Sequence, residues 1–185
     1  MENEQIIARF LALRPTGSGY GSGYGSGSGI KKIENRMVQV IDGVFTILTN
    51  VKGNVASGYI LNDDLTEERC YVVKGHGYFA HGRTLKEARD ALVSKHMENL
   101  DEEALFEKFF ASFKNDKKYN GHRFFEWHHY LTGSCLMGRE TFVKNRGLDL
   151  DSYFTVKDFF ELTRNDYGSN VIRDLEERWN GKYGL

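Results

Sequence analysis

Two runs of β-branched and aromatic residues, RMVQVI and VFTILT, meet at Asp42-Gly43 within residues 36 to 49. Asp-Gly supplies two consecutive positions that tolerate a positive φ, which a two-residue turn between right-twisted strands requires. The pair predicts a β-hairpin. Strand-like runs follow at 54 to 61 (NVASGYIL), 69 to 74 (RCYVVK) and 77 to 81 (GYFAH), divided by Asn62-Asp63-Asp64 and Gly75-His76-Gly77. Short strands joined by tight turns predict an antiparallel meander of about five strands.

The apolar period then changes. Thr84 with Glu87 three residues on predicts a capping box, opening a helix through Leu85, Ala88, Leu92 and His96 that can pack on the sheet. Beyond Asn99 the pattern is helical, with candidates at 101 to 114, 121 to 131, 134 to 145, 155 to 166 and 169 to 180. Gly133, Gly147 and Gly168 supply the breaks. The expected fold class is α+β: an antiparallel β-meander with a capped helix, followed by a small helical bundle.

Ahead of the meander, Ile6, Ile7, Phe10, Leu11 and Leu13 recur at helical spacing until Pro15. Every odd position from Gly17 to Gly29 is glycine, with Ser or Tyr between. Ordering so much glycine is entropically costly, so the tract reads as a flexible linker spanning about 20 Å root-mean-square. Its period of two leaves an extended alternative, with Tyr20 and Tyr24 on one side. The expected division is an amphipathic helix over 1–16, a linker over 17–29, the meander and its helix over 30–99, and a helical subdomain over 100–185.

With a formal charge of −1 and a pI near 6.6, the chain is no polybasic coat for nucleic acid, so any such contact must be local. Residues 114 to 146 hold seven Lys/Arg against three Asp/Glu, whereas 149 to 177 hold three against eight. Cys70 and Cys135 are the only cysteines and lie far apart, which argues against a disulfide framework or a structural zinc site. The opening MENEQIIARFLALR is too short and too charged for a signal peptide, and no later run reaches transmembrane length. A cytoplasmic site is expected, with no cofactor, because P-loop, dinucleotide and nucleophile-elbow motifs are all lacking.

The densest chemical cluster is GHRFFEWHHYLTGSC, residues 121 to 135. On a helix His122, Glu126 and His129 share one face, while His128 joins the apolar stripe of Phe124, Trp127 and Leu131. For His128 the ordinary reading is a buried imidazole bonded to a neighbour. His-x3-Glu-x2-His is not a zinc-protease spacing, so a solvated face is preferred to a metal site. Cys135, near a predicted helix start, reads as a small core residue, with a Cys–His nucleophile as the sharper alternative.

A second cluster, Lys74, His76, His81 and Arg83, flanks the last strand. Histidines that exchange protons near neutral pH, beside cations that steady a phosphorane, are the equipment of a metal-independent ribonuclease. His76, His81, His129 and Glu126 are therefore the catalytic candidates, set against ordinary surface polarity. Lys74, Arg83, Lys114, Lys117, Lys118 and Arg123 are the candidate RNA contacts, with Tyr119 or Tyr130 able to stack on bases. The acidic C-terminal third, including Glu161, Asp166, Asp174 and Glu177, is a weaker candidate for binding a basic groove by imitating phosphate charge.

The runs YFAHGRTLKEARDAL, FFEWHHYLTGSCLMGRETF and SYFTVKDFFELT, behind GSGYGSGYGSGSG, resemble proteins of phages and mobile elements in Gram-positive bacteria. The chain is similar to the type II-A anti-CRISPR inhibitors of the RNA-guided DNA nuclease, one branch of which promotes truncation of the guide RNA. The resemblance implies that the partners are a type II effector nuclease and its guide RNA in the bacterial host cytoplasm, and that the protein blocks the nuclease, with truncation of the guide as one route. Occlusion of a partner's nucleic-acid groove without chemistry is the alternative.

Overall fold

The computed structural model describes residues 2–12 and 32–184, so the Gly/Ser/Tyr tract and its two readings lie outside the described residues. The chain divides into two compact units, Met1–Asn99 and Leu100–Leu185. The class is α+β, as expected: a curled five-stranded antiparallel sheet with a helix, and then helices.

The first unit begins with α1 (Glu2–Leu11) and a small hairpin of β1 (Lys32–Ile33) and β2 (Arg36–Met37), which turns through Glu34 and Asn35 at positive φ. Nothing in the residue pattern announces that hairpin. The main sheet runs in simple chain order through β3 (Gln39–Ile41), β4 (Val44–Lys52), β5 (Val55–Leu61), β6 (Glu67–Gly75) and β7 (Tyr78–Gly82). Asp42 and Gly43 take φ of 53° and 78° and pair Ile41 with Val44, the expected tight turn. His76 and Gly77 repeat the device at 51° and 82°, pairing Gly75 with Tyr78.

A flat sheet would hold β4 and β7 three strand intervals apart, about 14 Å. Yet Thr46 Oγ1 on β4 lies 2.9 Å from His81 Nε2 on β7. The sheet therefore curls until its inward side chains meet. A register shift between Leu48 and Asn50 bends β4, as a bulge does. Where the strands crowd, residue 58 must be glycine, because a Cβ there would stand 2.0 Å from the Ile47 carbonyl oxygen.

The hollow of the curl is filled by α1. Phe10, buried, packs with Ile41, Leu48, Ala56, Cys70 and Val72, and its ring centroid lies 5.6 Å from that of Phe79. The opposite face, carrying Val73 and Ala80, is covered by α2 (Leu85–Glu98) through Ala88, Leu85 and Leu92. Thr84 caps α2 by accepting from the Glu87 amide at 3.1 Å, but the Glu87 carboxylate accepts from the Arg83 amide, one residue short of a reciprocal box. Helix and strand approach closely at Gly82, where a Cβ would sit 2.2 Å from Ala88 N.

The second unit comprises α3 (Glu102–Ser112), β8 (Tyr119–Asn120), α4 (Gly121–Thr132), α5 (Leu136–Arg146), β9 (Tyr153–Phe154), α6 (Val156–Thr163) and α7 (Ser169–Tyr183). Its core is aromatic. Phe109 on α3 lies within 6.1 Å, centroid to centroid, of Phe113, Trp127, Phe159, Phe160 and Trp179. The short β8–β9 pair brings together two segments about thirty residues apart, with Gly121 N donating to Ser152 O at 2.9 Å. Among the described residues no helix is long and apolar enough to cross a membrane.

Candidate functional site

Within each unit the ribonuclease candidates do not converge: His76 and His81 belong to the first unit, Glu126 and His129 to the second. Within the first unit, His76 in the β6–β7 turn and His81 near the far end of β7 are separated by about 15 Å of extended chain. The exposed His76 ring stacks on His96, with centroids 3.9 Å apart. His81 points into the curl against Thr46, and burial depresses its basicity, with Lys95 adding to this and Asp42 opposing it.

Lys74 points inward as well. Its ammonium donates to the Phe10 carbonyl at 2.8 Å and lies 4.5 Å from the Phe10 ring centroid, and burial lowers its pKa. This corrects its assignment as an RNA contact: the residue alternation that places Val72 in the core places Lys74 there too, where it terminates α1 instead of meeting solvent. Arg83 remains exposed, 3.9 Å from Glu68.

In the second unit, Asn120 caps α4 by accepting from the His122 amide, and Gly133 at φ 68° ends the helix. His129 Nδ1 is 2.8 Å from the Ser134 carbonyl oxygen. Glu126 reaches Arg139 at 3.4 Å, and His122 reaches Asp151 at 3.4 Å. One helical face thus sends its three polar groups to three different partners, and among the described residues no group of His, Cys, Asp or Glu is placed to hold a metal ion.

Three of the candidate phosphate contacts reach solvent. Lys114, Lys117 and Lys118 are exposed on the turn after α3, and none is in a salt bridge among the described residues. Tyr119 braces this turn, its hydroxyl accepting from the Lys114 amide at 2.7 Å. Arg123 is engaged structurally, donating to Ser112 O at 2.7 Å and so closing the end of α3, and its guanidinium lies 4.8 Å from the Phe113 centroid and 4.9 Å from that of Tyr119. The acidic third is less free, because Asp166 pairs with Arg146, Asp174 with Arg178, Glu176 with Arg164 and Glu161 with Lys157. That pairing weakens its likeness to bare phosphate charge.

Sequence reasoning missed a cavity of about 350 Å³ in the second unit. Phe125, Phe142, Leu150, Phe154, Phe159 and Leu162 supply its apolar wall, and His128, Ser134, Cys135, Arg139 and Asp166 its polar positions. His128 Nδ1 lies 2.8 Å from Ser134 Oγ, and burial, then the nearby Arg139, lowers its pKa. Cys135 caps α5, its Sγ accepting from the Gly138 amide at 3.4 Å. Arg139, only 8% exposed, donates to Phe125 O at 2.8 Å and covers the Phe125 ring, but its Nε has no hydrogen-bond partner. A buried donor left unmatched costs about 1–3 kcal/mol. The sequence signal was the cluster at 121 to 135, which supplies Phe125, His128, Ser134 and Cys135 to the lining, whereas Arg139 shares its helix with Lys144 and Arg146 and is set apart only by its burial. Cavity walls drawn from residues 121 to 167 have no local pattern to betray them.

No protein-family model matches the chain, and no curated protein and no solved structure matches it.

Proposed function

We propose that this protein is a non-catalytic inhibitor of a type II RNA-guided DNA nuclease, which grips the nuclease–guide RNA complex through the 114–118 turn of its helical unit. The partner comes from the resemblance. The observation that carries the binding mode is the trio Lys114, Lys117 and Lys118, exposed and without a salt-bridge partner among the described residues, on a turn braced by Tyr119. With net charge near zero over the chain, a compact cationic turn suits a few phosphate contacts at a defined place. Occlusion is favoured over guide cleavage because His76 and His81 stand apart within their own unit and His81 and His129 are each committed to a neighbour.

The test compares the wild type with the K114Q/K117Q/K118Q triple variant for binding to the nuclease–guide complex over a range of salt. Three lost contacts to single-stranded phosphates should flatten the dependence of log K on log salt by about 2. The variant should also restore DNA cleavage, with the guide full-length throughout on a denaturing gel. Unchanged affinity and salt slope would remove this surface from the proposal. A shortened guide would return the reading to a ribonuclease or to a provoked host activity.

A further inference from the structure

We infer that the cavity of the helical unit is a binding site for a small amphiphilic carboxylate, its apolar body inside the aromatic wall and its head directed to Arg139. This site is independent of the nuclease interface, since it uses other residues and other chemistry and is tested without any partner.

Size and lining come first. About 350 Å³ falls at the lower end of the range for small-molecule sites, ~300–1,000 Å³, and such sites join apolar walls to a few polar groups. Here the wall is aromatic and aliphatic. The polar groups gather where α4 passes into α5, around Ser134, Cys135 and Arg139.

Charge selects the head group. Arg139 is a buried cation whose carboxylate neighbour, Glu126, is half exposed and 3.4 Å away, and its Nε is unmatched. Asp166, the carboxylate on the cavity wall, is already answered by Arg146 at 2.9 Å. The positive end of α5 opens at Cys135, beside the same group. His128, whose pKa is lowered by burial and then by Arg139, is already bonded to the Ser134 hydroxyl and the Tyr167 backbone, which leaves Arg139 as the group that answers the head. An anionic head completes this set, a neutral head leaves the Arg139 cation under-compensated, and a cationic head meets it as a like charge. A guanidinium matches carboxylate and phosphate alike, but Arg139 is one cation already beside Glu126, so a head with a single negative charge suits it better than a phosphate with about −1.5 to −2.

One exposed apolar residue belongs to the cavity itself: Tyr167 lines it while remaining open to solvent, which suits an apolar guest.

Cys135 serves as a built-in reporter. The full-length protein is treated with iodoacetamide in the presence of octanoate, octanol or octylammonium, probes with one tail and three heads, and Cys135 carboxamidomethylation is followed by mass spectrometry. Thermal unfolding with each probe is recorded in parallel. Octanoate is expected to slow alkylation and raise Tm, with apparent affinity about tenfold or more above octanol, the difference one charge-assisted bond makes, and octylammonium is expected to do neither. The Arg139→Lys variant should keep some octanoate binding and Arg139→Met should lose the preference for octanoate over octanol. Equal protection by octanol and octanoate in the wild type overturns the carboxylate assignment. No protection and no Tm shift by any probe overturns the site, and because both outcomes are read on the wild type, an unstable Arg139 variant does not shelter it.

Discussion

Cys70 and Cys135 are the chain's two cysteines, and their surroundings divide them sharply. Cys70 lies in the core under Phe10, and burial pushes its thiol up to about 11. Cys135 is exposed at the start of α5. Since the thiolate is the reactive form, a thiol reagent at about pH 8 should modify one cysteine quickly in the folded protein and both after denaturation. Peptide mapping that found Cys70 labelled first would contradict the placement of α1 over the sheet. His81 tests the same core by pH. Its pKa is lowered in the folded state, so between the unfolded value near 6.5 and that lower value the unfolded chain binds more protons. Its contribution to stability is therefore complete above about pH 6.5 and is lost as pH falls toward the folded value. His81→Gln can still bond Thr46 but cannot titrate, so urea unfolding followed by far-UV circular dichroism should decline less between about pH 7.5 and 5 in the variant. An equal decline in both would mean that His81 is open to water.

At the scale of elements, capping chemistry separates two helices that look alike in sequence. Thr155 and Asp158 form a complete reciprocal box on α6: the Thr155 hydroxyl accepts from the Asp158 amide, and the Asp158 carboxylate accepts from the Thr155 amide at 2.7 Å. That amide, with the Thr155 hydroxyl and with Lys118 and Lys157 further off, holds the Asp158 carboxyl below its usual range. Thr84 on α2 makes only half of such a box. An eight-residue helix has little stability of its own, so Thr155→Ala should cost about 1–2 kcal/mol and Thr84→Ala nearer the low end of the ~0.5–2 kcal/mol range. Urea denaturation of the two variants would check the order; an equal or reversed cost would deny the second arm of the box any energetic role. Both caps share one spacing in the sequence, Thr-x-x-acid, but which of them closes is not legible there, because it depends on whether the carboxylate meets the Thr amide or the amide before it. The Asp42-Gly43 hairpin is legible because few dipeptides accept its backbone angles. The pairing of β8 with β9 is not, since two residues a side carry no alternation to read.

For the whole molecule, each unit owns a core of distinct character, and that makes their cooperativity measurable. The first is aliphatic, closed by Phe10 in the hollow of the sheet, whereas the second is an aromatic cluster around Phe109. Residue periods reveal which segments are strands and which helices, but not the curl, which depends on Gly58, on a bulge in β4 and on a helix whose apolar face covers strands more than thirty residues away. The cavity is hidden for the same reason. Both tryptophans, Trp127 and Trp179, are buried in the second unit, so intrinsic fluorescence reports chiefly that unit while circular dichroism reports both. Gly58→Ala forces a Cβ to 2.0 Å from a backbone oxygen, and strain of that kind costs about 1–3 kcal/mol or more. With separate cores, thermal unfolding of the variant should become biphasic by circular dichroism, its β-rich phase moving to lower temperature while the tryptophan midpoint stays within about a degree of the wild type. A shift of about 4–8 °C is typical for ~1 kcal/mol in a domain this small. If the two midpoints fall together, the units unfold as one cooperative body. In that case a strand-level defect would propagate to the cationic turn and the cavity, and every substitution in the sheet would have to be read for its effect on binding as well as on folding.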